Sequence, residues 1–134
     1  MNQSDRIEPV WLDAADAIAI HDRQLSEHGG GAGVRDHGLL ESALGRPINR
    51  WAYGEDDKAS LAAAYAFGIA RNHPFLDGNK RTAWVLARLF LTLNGTQLNF
   101  GPEDAIRTVL ALASGELSEK ELADWFRQRI TDSV

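Results

Sequence analysis

The chain has 134 residues, 44% of them hydrophobic and 25% charged, the profile of one soluble globular domain able to bury a core of its own. It has no cysteine, which excludes disulfides and thiolate metal sites and points to a reducing, cytoplasmic setting. A net charge of −5 speaks against a surface that coats nucleic acid, no run approaches the ~20 apolar residues of a membrane span, and the first residues lack a signal peptide's cationic start and apolar run.

In chain order, Ile7 to Leu12 leans apolar around Pro9 and is expected to form a brief edge strand, where a missing ladder donor is tolerated. Asp13 is placed to cap a helix running to about Glu27, with Ala14, Ile18 and Leu25 on one face. The glycine run from Gly29 to Gly33 ends that helix. With no strand before it and no Gly-Lys-Ser/Thr after it, it reads as a flexible helix connection rather than a phosphate loop. A short helix from about Arg35 to Gly45 follows and stops at Arg46-Pro47. Trp51-Ala52-Tyr53-Gly54 then reads as a loop or hairpin, either a partner surface or a lid over the core. Asp57 opens a third helix, rich in alanine through Ala62, Ala63, Ala64, Ala66 and Ala70.

Between Asn79 and Asn94 the polar side chains after Arg81 are Thr82, Arg88, Thr92 and the terminal Asn94. A helix apolar nearly all round is buried by its neighbours, so this segment is expected to be the central post of the fold. Asn94-Gly95 supplies its stop. Pro102 sits at a favourable first-turn position for a helix to about Ala113. Ser118 and Glu121 form a capping box for a last helix from about Glu119 to Ile130, burying Leu122, Trp125, Phe126 and Ile130. The expected architecture is all-α: a single domain over residues 1–134, folded as a helical bundle around one buried helix.

The segment His73-Pro74-Phe75-Leu76-Asp77-Gly78-Asn79-Lys80-Arg81 carries the chemistry. Pro74 disfavours α conformation at the residue before it, so His73 is expected in an extended loop just past the third helix. Asp77-Gly78-Asn79 opens the next helix, whose first-turn N–H groups are unpaired and whose dipole end is positive, a nest that accepts phosphates. Lys80 and Arg81 add charge at the same rim, and the planar fork of Arg81 suits phosphate oxygens. Asp77 can hold Mg²⁺, which prefers a carboxylate or two plus substrate phosphates. His73 can take a proton from an incoming hydroxyl. Phe75 is expected to point inward and anchor the loop.

Singly, each part is ordinary: Asp-Gly-Asn before a helix is more often a cap and turn, a loop histidine is usually solvated, and Lys-Arg at a helix start is usually a wet face. Their order at the mouth of a buried helix is what turns them into a site. His21, His28 and His37 lie near Asp22, Glu27 and Asp36, but the spacing matches no standard ligand pattern, so they read as solvated polar residues.

The nine residues from His73 to Arg81 resemble the signature of the Fic/Doc family, H-x-F-x-D-G-N-K-R. Gly33-Val34-Arg35-Asp36-His37-Gly38-Leu39-Leu40-Glu41-Ser42-Ala43-Leu44 with Arg46-Pro47 is similar to the stretch ahead of the catalytic region in its Doc-type, death-on-curing members. The resemblance implies a toxin of a toxin–antitoxin system that uses ATP and Mg²⁺. His73 would be the general base, Asp77 the Mg²⁺ ligand, and Gly78, Asn79, Lys80 and Arg81 the phosphate cradle; His73, Asp77, Lys80 and Arg81 form the catalytic set. It implies that the loop near Trp51 to Gly54 is a flap that docks the target's extended segment. It also implies two partners, a small Phd-like antitoxin and a protein substrate, in Doc-type toxins a threonine of translation elongation factor Tu.

Fic proteins commonly transfer AMP from ATP to a protein hydroxyl, whereas Doc-type toxins bind the nucleotide the other way round and transfer the γ-phosphate. The adenylylating pattern reads Gly-Asn-Gly-Arg with a second arginine three residues later. Here Lys80 replaces that glycine and Trp84 stands in the second arginine's place, which favours phosphoryl transfer. Gly78 pulls the other way, because the best-known Doc motif has alanine there. A catalytically silent antitoxin-binding module is the third reading, and the full set of catalytic residues speaks against it. The inhibitory pattern S/T-x-x-x-E-G/N has its nearest match at Ser4 to Glu8, where Pro9 breaks it, so silencing is expected from an external antitoxin.

Overall fold

Aspartates start the first three helices. Asp13, Asp36 and Asp57 each accept a hydrogen bond from a first-turn N–H, and they open α1 (Ala14–His28), α2 (His37–Ala52) and α3 (Lys58–Asn72). The computed structural model describes residues 6–131. The remaining elements are α4 (Asn79–Leu93), β1 (Gln97–Leu98), α5 (Pro102–Ser114), α6 (Glu119–Arg129) and β2 (Ile130–Thr131). Asp13 with Asp16 and Ser118 with Glu121 form complete capping boxes, and Pro102 begins α5. The expected all-α bundle is what forms, with one small antiparallel pair in which Gln97 faces Thr131 and Leu98 faces Ile130.

The innermost helix is α3 rather than α4. It lies between α2, α4 and α6, while α1 rests on α4. Leu61, Tyr65, Ala66, Ile69 and the alanines between are fully enclosed, whereas α4 leaves Lys80, Arg81, Arg88 and Leu93 exposed. Alanine explains the difference: it adds little to an apolar count, yet its short side chain lets neighbouring helices close in on every side. At Gly68 the approach is closer still, since an added Cβ would stand 3.1 Å from the Ala43 Cα.

Three local expectations are corrected. Residues Ile7 to Leu12 form no strand, because side chains take the bonds a neighbouring strand would have taken. Asn94 accepts from the Val10 N–H (2.8 Å) and donates to its carbonyl (3.0 Å), while the Tyr65 hydroxyl accepts from the Leu12 N–H at 2.9 Å. The second helix does not stop at Arg46-Pro47 but runs to Ala52 with Pro47 buried inside it. Proline here only removes the donor to the Ala43 carbonyl, and tertiary packing outweighs that loss. Consequently Trp51 and Ala52 are helical, Tyr53-Gly54 is a plain turn, and no hairpin is present there. Trp51 is half-buried beneath the Arg6 guanidinium, 4.2 Å from the ring centre, and edge-on to Trp11.

Burial pushes the Tyr65 phenol up to about 12. Unfolded, the phenol ionises near 10, so its contribution is fully present below pH 10 and is lost as pH rises towards 12. Tyr65→Phe is expected to remove that alkaline decline while lowering stability at neutral pH by about 1–3 kcal/mol, because the Leu12 N–H loses its acceptor. Urea unfolding of both proteins between pH 7 and 12 checks both effects.

Candidate active site

The motif begins where α3 ends. His73 closes that helix with its N–H on the Ile69 carbonyl (3.1 Å) and adopts φ 48, ψ 56. It is the one non-glycine residue with positive φ among the described residues. The expectation of an extended His73 is therefore corrected. Proline forbids the right-handed helical well, and the helix-end hydrogen bond selects the left-handed one. A left-handed non-glycine residue costs about 1–3 kcal/mol and needs surrounding structure to hold it. Arg35 supplies part of that hold, donating from Nε to the His73 carbonyl (2.8 Å) and from Nη2 to the Asn72 carbonyl (3.0 Å). The His73 side chain stays exposed.

Past His73 the loop is held from three sides. Phe75 is buried as expected, at 1% exposure. The Asn79 carboxamide closes on it, Oδ1 accepting from the Phe75 N–H and Nδ2 donating to the Phe75 carbonyl, each at 3.0 Å. The glycine run is not a free connection: Val34 pairs with Phe75, Leu76 donates to the Gly33 carbonyl (3.2 Å), and Arg35 and Asp36 donate to the Pro74 carbonyl (2.7 and 3.1 Å). From α1, His21 lies flat on Phe75, ring centres 4.0 Å apart, and its Nε2 meets the Asp77 carbonyl at 2.6 Å.

Asp77 is exposed, with Oδ1 accepting from the Gly78 N–H at 2.8 Å. Its Oδ2 lies close against Gly30, where an added Cβ would stand 2.8 Å away, so only a residue without a side chain fits beside this carboxylate. Gly78 is the N-cap of α4 in the left-handed conformation, φ 74, and no side chain caps the helix. The first helical bond is from the Thr82 N–H to the Gly78 carbonyl (3.0 Å), which leaves the N–H groups of Asn79, Lys80 and Arg81 ahead of the ladder. Lys80 and Arg81 are exposed, and Lys80 lines a groove with Arg107 and Ser114 of α5. Asp77, Gly78, Lys80 and Arg81 thus lie at one helix mouth, and the short loop from Pro74 joins it to His73 at the end of α3. The Asn79 side chain turns inward, so only its main-chain N–H faces the nest.

One segment and one residue weighed from the sequence lie elsewhere. Trp51 to Gly54 sit at the far end of α2, whose first turn is the part that meets the motif, so they do not flank the site. Trp84 is buried among Phe100, Trp125 and Phe126 and presents nothing to an anion. Three residues to which the sequence reading gave no role in the site belong to it: His21, Gly30 and Arg35. The solvated reading of His21 is corrected, since it is 1% exposed. Its signal was its place on the Ala14, Ile18 and Leu25 face of α1. His28 and His37 are exposed. Of the Ser4 to Glu8 pattern, Ser4 lies outside the described residues, and Glu8 accepts from the Trp11 indole N–H at 2.8 Å.

A buried helical core opening through a glycine-started, cation-rimmed helix, joined by a short loop to an exposed histidine, is the arrangement that defines this site, and sequence comparison assigns the family. Residues 11–91 match the Fic/DOC family, to which the chain belongs. Protein kinase doc of Escherichia phage P1 is 45% identical over 112 residues, 83% of this chain and 88% of that protein. Toxin Doc of Mycolicibacterium smegmatis is 51% identical over 73 residues, 52% of this chain and 55% of that protein. Among the described residues no helix is long and apolar enough to cross a membrane.

The Asn79 clamp predicts that Asn79→Asp will be as damaging as Asn79→Ala, because a carboxylate cannot donate to the Phe75 carbonyl. Each is expected to lower stability by about 1–3 kcal/mol, read as a fall in urea midpoint at unchanged slope.

Proposed function

We propose that this chain is a Doc-type toxin that transfers the γ-phosphate of ATP to a protein hydroxyl. The observation that carries the proposal is the uncapped, glycine-started N-terminus of α4, rimmed by Lys80 and Arg81 and joined to His73 by the short loop from Pro74 to Asp77. A helix mouth with free N–H groups and two cations binds phosphate oxygens and stabilises charge that develops as the group moves. His73, held exposed by its left-handed backbone, accepts the proton of the attacking hydroxyl. The hydroxyl oxygen bonds to the γ-phosphorus, the bond from that phosphorus to the β–γ bridging oxygen breaks, and ADP leaves. Arg81 offers a fork to the transferred group and Lys80 a point charge.

Asp77 fits a role in holding Mg²⁺, because its carboxylate is exposed and its Oδ1 is steadied by the Gly78 N–H. The ion would neutralise phosphate charge. The burial of Trp84 supports γ-phosphate transfer over AMP transfer, since no second arginine is present there to clamp the far phosphates. The Doc resemblance supports a cytoplasmic setting, elongation factor Tu as the substrate and a Phd-like antitoxin as the partner. The target's extended segment would dock along Gly29 to Val34, which runs beside the motif, rather than at Trp51 to Gly54.

Elongation factor Tu incubated with the protein, Mg²⁺ and ATP labelled at the α or the γ position provides the test. Label is expected from the γ position only, with His73→Ala reducing it by about 10²–10⁴-fold while the fold is retained. Label from the α position would establish AMP transfer instead, and a His73→Ala protein of wild-type rate would remove His73 from the mechanism.

A further inference from the structure

Among the side chains of α1, only Ala17 and His21 are fully buried. A buried imidazole is costly unless its polar atoms are paired, and this one is paired with the backbone of the motif, 56 residues away in sequence. We infer that His21 is a positioning residue: its Nε2–H, donated to the Asp77 carbonyl, sets the direction in which the Asp77 carboxylate and the free N–H groups of α4 are presented.

The acceptor is a carbonyl oxygen, so the proton of this bond resides on Nε2. The Asp77–Gly78 peptide is thereby held at both ends, its carbonyl by His21 at 2.6 Å and its N–H by Asp77 Oδ1 at 2.8 Å. With the peptide plane fixed, Oδ1 is engaged and Oδ2 is turned towards Gly30, which has no side chain to displace it. The same plane leads into the left-handed Gly78 that launches α4. The ring also borders the space beside Gly78, since a Cβ built there would come 3.7 Å from Cδ2 and Nε2. Its other face is occupied by the Phe75 stack, so the imidazole has one orientation open to it. Groups that orient a metal-binding carboxylate from behind commonly change metal affinity by 10–100-fold when lost.

The metal arm of this inference rests on the reading of Asp77 given above; the positioning of the peptide does not. Two substitutions divide the functions of the ring: His21→Phe keeps the flat stack and loses the donor, whereas His21→Gln keeps a donor and loses the stack. Calorimetric titration of a non-hydrolysable ATP analogue at graded Mg²⁺ is expected to show His21→Phe needing at least about tenfold more Mg²⁺ for half-maximal binding. His21→Gln should return to within about threefold of wild type despite melting at lower temperature. A histidine that only fills space gives the opposite ranking, with Phe like wild type and Gln worst, and that ranking would overturn the inference.

Amide exchange in the nucleotide-free proteins gives a second reading independent of any ligand. The Gly78 N–H is expected to exchange at least about tenfold faster in His21→Phe, with the amides of α3 unchanged. Equal exchange in the two proteins would overturn the positioning role. A wild-type protein that binds no Mg²⁺–nucleotide would defeat the proposed function instead, and Gly78 exchange would still decide this inference.

Discussion

The site depends on one constraint: the peptide groups from His73 to Gly78 follow no regular ladder and must find partners elsewhere. Most of those that are paired are met by side chains or backbone outside the loop. Asn79 takes both polar groups of Phe75, His21 takes the Asp77 carbonyl, Arg35 takes the carbonyls of Asn72 and His73, and the backbone at Arg35 and Asp36 takes that of Pro74. A buried backbone group left unpaired costs about as much as a lost hydrogen bond, so these partners act together to specify one loop shape. That shape keeps His73 in a conformation it would not choose alone.

The scaffold behind the loop serves the same end. Because α3 is made largely of alanine, α2, α4 and α6 pack tightly around it, and Gly68 lets α2 come closest near Ala43. The loop therefore joins two well-buried helices, and its ends have little freedom. On the other side of α4, Trp84, Phe100, Trp125 and Phe126 form an aromatic cluster that ties α4 to α6. Arg46 and Arg50 meet Glu119 across the α2–α6 boundary, and Arg127 reaches Asp57 at the start of α3. These partly exposed pairs add little net stability, but they mark where the helix ends meet.

Four helices, α1, α2, α3 and α6, are closed at their N-termini by an aspartate or serine side chain, and α5 begins with proline and two acids. Both α4 and α5 open on a glycine with no side-chain cap, but α5 carries acids in its first turn whereas α4 carries Lys80 and Arg81. For stability alone this is a poor start, with orphan donors unmet and cations at the positive end of the dipole. For an anionic substrate it is a prepared site. The conflict between local preference and observed sequence falls at the motif, where function is expected to override propensity.

What the sequence determined by itself is what local chemistry governs. Helix starts were legible because the capping residue stands beside the turn it closes, as with Asp13 and Asp57, or with Ser118 and its partner Glu121. The nine-residue motif was legible because the order of its residue types is rare. Tertiary structure alone decided which helix is innermost, that Pro47 lies within α2, that the glycine run lies along the motif, and that Asn79 turns inward. It also converted His21 from a surface residue into a partner of Asp77. Each of these outcomes, apart from the inward turn of Asn79, depends on contacts between segments distant in the chain, whose energies no local window contains. Asn79 is close to Phe75 in sequence, but its inward turn required the loop shape that those distant contacts impose.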